Sequence, residues 1–216
     1  MMKSWLLYSV LILAVIKPAF AEELLFQRLS SRLVHLAQED FLLARTAVHE
    51  AGHIVAARHM ALGINPLSIE LELGRSRGHG RALFDWTEQS LSRVADADSE
   101  SLLIRRVAFL MAGQVAEEAF LMGLKGSRRL STRAQKALIS GEGVHQDKAA
   151  IDKILGGSKD LSQLIELKMR AENLAKQVVK RHSMEVERLS VSILERRTKA
   201  TRNSCSRVLR VLFKNR

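Results

Sequence analysis

Cysteine is nearly absent from this chain. Cys205 stands alone, which excludes an internal disulfide and a cysteine-rich structural zinc site. In the basic C-terminal region it reads as an inert thiol. Proline occurs twice and aromatic residues make up 5% of the sequence, a balance that fits a largely helical protein better than a β-sandwich. With a single tyrosine, no aromatic-basic interleaving of the base-stacking kind is present, so nucleic acid is not the expected partner. No G-x-x-x-x-G-K-[ST] occurs, and Gly156-Gly157-Ser158-Lys159 does not fit a P-loop, so there is no ATP site. Acid is also in short supply: 23 Asp and Glu face 34 Lys and Arg, a formal net charge of +11. That excess implies an acidic partner or surface without naming it.

What is present divides into three parts. Residues 1–21 read as a targeting segment: Lys3, an apolar run from Trp5 to Ile16, then Pro18-Ala19-Phe20-Ala21 before Glu22-Glu23. This is the pattern of a secretory signal cleaved after Ala21. The alternative is an uncleaved anchor, for which the apolar run is short, since a span needs about twenty residues. The expected location is accordingly membrane-associated or exported, with a cytoplasm-facing membrane protein as the alternative. Residues 22–197 form the expected domain, and residues 198–216 a basic tail. After Glu195 the chain carries basic residues and no acid, interleaved with Val208, Leu209, Val211, Leu212 and Phe213. Such a tail can lie on an anionic membrane or bind nucleic acid; the commoner outcome is a frayed, solvated terminus.

Within the domain, Glu22 to Phe41 reads as one helix, leading into a second from Thr46 to Met60. Leu67 to Leu73 alternates apolar and polar residues, with Ser68, Glu70 and Glu72 on the solvent side, and Arg81 to Trp86 returns as a second strand. Ser99 to Met122 reads as a long, largely buried helix whose Ala112, Gly113 and Ala116 permit close packing. Glu117 and Glu118 within it need partners. Further helices follow Gly143 and Ser158, with one apolar stripe from Leu161 and Ile165 to Val179 and a bend near His182-Ser183. The fold class expected is mainly α, with a small β-hairpin after the second helix.

That second helix carries His49-Glu50-Ala51-Gly52-His53. Histidines at i and i+4 stack on one helix face, one turn apart, so their imidazoles can converge on a single ion, zinc above all. The intervening Glu50 can reach a water on that ion and act as general base. Gly52 costs about 1 kcal/mol relative to alanine inside a helix, which suggests close packing against the backbone. A catalytic zinc needs a third protein ligand, and His59, His79, Glu117, Glu118, His145 and Asp147 are all candidates. Spacing does not choose among them; a glutamate on a later buried helix would favour Glu117 or Glu118. His35, His59, His79 and His182 have ordinary readings as surface or packing residues.

Thr46-Ala47-Val48-His49-Glu50-Ala51-Gly52-His53 resembles the T-A-x-H-E-A-G-H of the FtsH-type proteases, the membrane-bound ATP-dependent zinc metallopeptidases. In the same order, the strand pair follows the zinc helix. Leu110-Met111-Ala112-Gly113-Gln114-Val115-Ala116-Glu117-Glu118 is similar to the family's L-A-G-R-A-A-E-E. Gly143-Val144-His145-Gln146-Asp147 with Ala149 and Ala150 resembles its G-A-x-N-D-x-x-x-A-T. Residues 171–196 resemble its last helix, so the likeness runs over about residues 40–197. The resemblance implies a zinc metalloendopeptidase with His49, His53 and Asp147 as metal ligands and Glu50 as the catalytic residue. Its substrates would be unfolded or flexible proteins or peptides, held along the hairpin. The family's ATPase module has no counterpart here, so a stand-alone peptidase is expected, working alone or with an unfoldase or ATPase in trans; a homo-oligomer is compatible with it. Gln146 in place of asparagine, and Ser140-Gly141-Glu142-Gly143 in place of a Thr-Thr-Gly run, are departures next to Asp147. They keep open an alternative: a weakly active or inactive scaffold or binding protein of the same fold at a membrane.

Overall fold

The computed structural model describes residues 29–62, 64–73, 78–86, 99–125, 145–155, 161–203 and 208–212. The targeting segment, the basic connection after the long helix and the turn of the hairpin lie outside the described residues. The described chain is mainly helical with one small antiparallel sheet, in the order α1 (Ser31–Glu39), α2 (Phe41–His59), β1 (Ile64–Leu73), β2 (Gly78–Trp86), α3 (Ser99–Lys125), α4 (His145–Leu155), α5 (Leu161–Arg181), α6 (Ser183–Asn203) and β3 (Val208–Leu212).

The organising element is α2. Fifteen of its residues, from Phe41 to Ala57, are buried. A helix that is apolar nearly all round must be surrounded, and α2 packs against α1, α3, α5, α6 and the two hairpin strands. It is a separate helix from α1, and it begins at Phe41 rather than at the expected Thr46. Asp40 is extended, with φ −147° and ψ 90°, and its carboxylate accepts from the Leu43 amide at 3.2 Å. One aspartate thereby ends α1 and caps α2, the role for which short polar side chains are favoured. At the other end Ala61 adopts φ 52°, the left-handed turn that commonly closes a helix.

α2 and α3 are in close contact. A Cβ added at Gly52 would lie 2.6 Å from the Ala112 carbonyl oxygen and 2.8 Å from Ala116 Cβ. The missing side chain therefore sets the distance between these helices, as the glycine in the motif suggests. The window Glu100–Leu124 of α3 is long and apolar enough to cross a membrane, yet 61% of it is buried inside the protein. It belongs to the core, with Val107, Ala108, Ala112 and Phe120 almost fully enclosed.

The sheet has the order β2-β1-β3, with both pairings antiparallel. Ile69 pairs with Ala82 on one side and with Val211 on the other. The tail after Glu195 is thus not simply a frayed terminus: Val208–Leu212 makes a third strand and turns β1 into the central one. β1 and β2 each begin three residues before their expected starts. A bulge between Pro66 and Ser68 shifts the register, where proline cannot donate to the ladder. Just past it Ser68 is buried, although alternation places it toward solvent.

The break between α5 and α6 falls at His182, in agreement with the expected bend. Along α5, however, only Ala171, Ala175 and Val179 are buried. Leu161 and Ile165, read as part of the same stripe, are exposed.

Candidate metal centre

His49 and His53 lie on consecutive turns of α2, facing α3. Asp147 comes from the first turn of α4. These three side chains converge: His49 Nε2 is 2.9 Å from Asp147 Oδ2, His53 Nε2 is 3.3 Å from the same oxygen, and the two Nε2 atoms are 3.2 Å apart. A tetrahedral ion with bonds of about 2.0 Å keeps its ligand atoms about 3.3 Å apart. The triangle therefore already has the dimensions of one face of a metal site, and the three groups are close enough to hold an ion. Among the other candidate third ligands whose side chains are described, Glu117, Glu118 and His59 stand outside this face. The side chains of His79 and His145 lie outside the described residues.

The orientation of both imidazoles is set from behind. His53 Nδ1 is 3.0 Å from the Phe109 carbonyl oxygen, and His49 Nδ1 is 3.3 Å from Glu117 Oε2. A carbonyl and a carboxylate both call for N–H on Nδ1. The Nε2 lone pairs are thereby turned toward the convergence point, the usual outer-shell arrangement of metal-binding histidines. Glu117 is not a ligand of the centre but a support for one, and its carboxylate also takes a hydrogen bond from Arg45 Nε on α2. All three members of this Arg45–Glu117–His49 chain are buried. Glu118, one residue on, is exposed and bonded to Gln114.

Two absent side chains complete the geometry. A Cβ at Gly113 would lie 2.5 Å from His53 Nε2 and 2.7 Å from His49 Nε2. The space in front of both ligand nitrogens is open because α3 carries glycine there. On the sheet side, a Cβ at Gly80 would meet Thr46 Cγ2 and lie 2.9 Å from Glu50 Oε1. β2 can thus lie directly against the glutamate. The signal for Gly113 is the run of small residues on α3; nothing local in the sequence marks Gly80.

The electrostatics follow from burial. Burial opposes a charge on His49, but the carboxylates of Asp147, Glu117 and Glu50 outweigh it and push its pKa up to about 10. Burial raises Asp147, whereas its hydrogen bonds to His49 and His53 bring it well below the ordinary carboxylate range. Glu50 is raised, chiefly by burial, against the pull of both imidazoles and of a hydrogen bond from the Ala82 backbone amide on β2. Arg45 answers Glu117, which leaves the Asp147 and Glu50 carboxylates beside the two imidazoles, a largely buried donor set that a divalent ion would suit. The walls are apolar: Phe109 packs on His53 with ring centroids 5.4 Å apart, and Phe84 on Phe109 at 5.1 Å.

No protein-family model matches the chain, and no curated protein matches it.

Proposed function

We propose that this protein is a zinc-dependent metalloendopeptidase acting on unfolded or flexible protein segments, related to the peptidase domains of the FtsH-type proteases. The observation that carries the reading is the convergence of His49 Nε2, His53 Nε2 and Asp147 Oδ2 within 3.3 Å of one another, with Glu50 buried beside them. Two imidazoles and a carboxylate, with a further position left open by Gly113, are the donor set of a catalytic rather than a structural zinc site.

Zinc held by these residues would supply an acidified water and a Lewis acid for the scissile carbonyl. Glu50 accepts the water proton on its carboxylate and returns it to the leaving amide nitrogen. Burial, which raises its pKa, makes it the stronger base toward that proton. His49 and His53 hold their Nε2 atoms forward, fixed by Glu117 and the Phe109 carbonyl. β2 is one of the two outer strands of the described sheet, and its Ala82 amide reaches Glu50. An extended peptide added along that edge runs past the base, held by main-chain hydrogen bonds. Segments able to adopt that extended form are unfolded or flexible ones.

Glu50→Gln preserves size and leaves the three ligands in place. It is expected to retain the metal and to lower casein cleavage by about 100-fold or more. Casein cleavage at the wild-type rate in that variant would overturn the proposal.

A further inference from the structure

At the far end of α2 a second set of metal-binding side chains comes together. His59 ends the helix, His182 is the single residue between α5 and α6, and Glu185 lies in the first turn of α6. Their ligand atoms all lie within 4.8 Å of one another. The two imidazoles are stacked face to face, with centroids 3.5 Å apart and planes at 10°, so one ring has to turn about its side-chain torsions for both in-plane lone pairs to meet one ion. His59 Nε2 is 2.8 Å from Glu185 Oε2. We propose that His59, His182 and Glu185 form a second, solvent-accessible site for a divalent transition-metal ion, which staples the C-terminus of α2 to the α5–α6 junction.

The donor set is again two imidazoles and one carboxylate, a combination suited to zinc, nickel or copper. The site is distinct from the buried centre: His59 lies six residues beyond His53, about 9 Å along the helix axis at 1.5 Å per residue. It is also open, with side-chain exposures of 32% for His59 and 31% for Glu185. An ion can therefore reach it without passing through the core. The backbone beneath it is fixed. The His182 amide donates to the Val178 carbonyl at 3.0 Å, and the His182 carbonyl accepts from the Glu185 and Val186 amides at 2.9 and 3.1 Å. His182 thus closes one helix and opens the next. The C-terminal ends of α2 and α5 both meet at the cluster, and helix C-termini favour positive charge. Arg58 is the competing cation, bonded through Nη1 to Glu185 Oε1 at 2.7 Å. The other carboxylate oxygen, Oε2, is the one directed at His59.

The test is zinc chloride titration of the full chain, with elemental analysis and a thermal melt at each stoichiometry. Wild type should take up two equivalents, with the melting midpoint rising again as the second binds. His182→Ala and the nearly isosteric Glu185→Gln should each lose the weaker equivalent and that second rise, while keeping the tight one. His53→Ala should lose the tight equivalent yet keep one that His182→Ala then removes. Saturation of wild type at one equivalent that His53→Ala abolishes, or persistence of the weaker equivalent in both His182→Ala and Glu185→Gln, would overturn the second site.

Discussion

Gly113→Ala places one methyl carbon where the two ligand nitrogens converge. The added Cβ would stand 2.5 Å from His53 Nε2 and 2.7 Å from His49 Nε2, where ordinary contact begins at about 3.4 Å. Relief therefore demands about 0.9 and 0.7 Å of movement from two rings pinned at Nδ1 by Phe109 and Glu117. Metal–ligand distances tolerate only about 0.2 Å. Zinc affinity should consequently fall at least about 100-fold, or about 2.8 kcal/mol at about 1.4 kcal/mol per decade. The metal-free fold should lose less: moving the two buried rings is an overpacking change of about 1–3 kcal/mol, offset by the about 1 kcal/mol by which alanine is better than glycine inside a helix. Competition against a chromophoric zinc chelator measures the first effect, and a circular-dichroism melt of the metal-free protein measures the second. Gly113→Ala that binds zinc as tightly as wild type would refute the reasoning. Gly52→Ala is the internal control: its Cβ meets the Ala112 carbonyl and Ala116 across the α2–α3 contact. It should destabilise the fold by about 1–3 kcal/mol as an overpacking change.

Other consequences concern the outer residues and pH. Glu117→Gln leaves the three ligands untouched but weakens the anchor on His49 Nδ1; zinc affinity should drop about 10- to 100-fold, and an unchanged dissociation constant would remove Glu117 from the account. Arg45→Met leaves the Glu117 carboxylate buried without this partner and should cost about 3–5 kcal/mol in a denaturant titration of the metal-free protein. In the metal-free state His49 is raised from 6.5 to about 10 and Glu50 is raised above 4.5, so the folded chain binds more protons than the unfolded chain across that range. The His49 contribution is complete below 6.5 and lost as pH climbs through about 10, and Glu50 acts in the same direction from 4.5 upward. Asp147 is depressed, and its contribution is present above 3.8 and lost only at lower pH. The metal-free midpoint should therefore fall between about pH 5 and 9, while zinc affinity rises with pH because the ion displaces protons. A metal-free midpoint that rises with pH over that window would contradict the burial and contacts assigned to His49 and Glu50.

How much of this is legible in the sequence depends on the range of the interactions. His49, Glu50 and His53 are local: helical spacing alone puts both imidazoles on one face. Gly52 is legible as a close contact, although not which helix it touches. Asp147 enters through the family resemblance, because nothing in spacing brings a residue nearly a hundred positions away to the same point. Glu117 stands among the candidate ligands, and its place behind His49 depends on the rotation of α3, which a core helix apolar on several faces does not reveal. The two helices on either side of Asp40 are legible, but the start of α2 at Phe41 rather than Thr46 depends on the Asp40 cap, which apolar periodicity does not mark. β3 escapes for a different reason. Val-Leu-Arg-Val-Leu sits among basic residues that resemble a solvated terminus, and its pairing partner β1 lies in the first half of the chain. His59 looks ordinary in sequence because no other member of its cluster lies near it in the chain, and His182 because only Glu185, three residues on, does; the α5–α6 turn brings the three together.

The most direct measurement is zinc content and casein cleavage of wild type and Asp147→Ala, determined on the same preparations after dialysis. Wild type should retain tightly bound zinc and cleave casein in a chelator-sensitive way, and Asp147→Ala should lose both. Wild type without tightly bound zinc, or Asp147→Ala with zinc and cleavage intact, would contradict the assignment of a catalytic zinc centre.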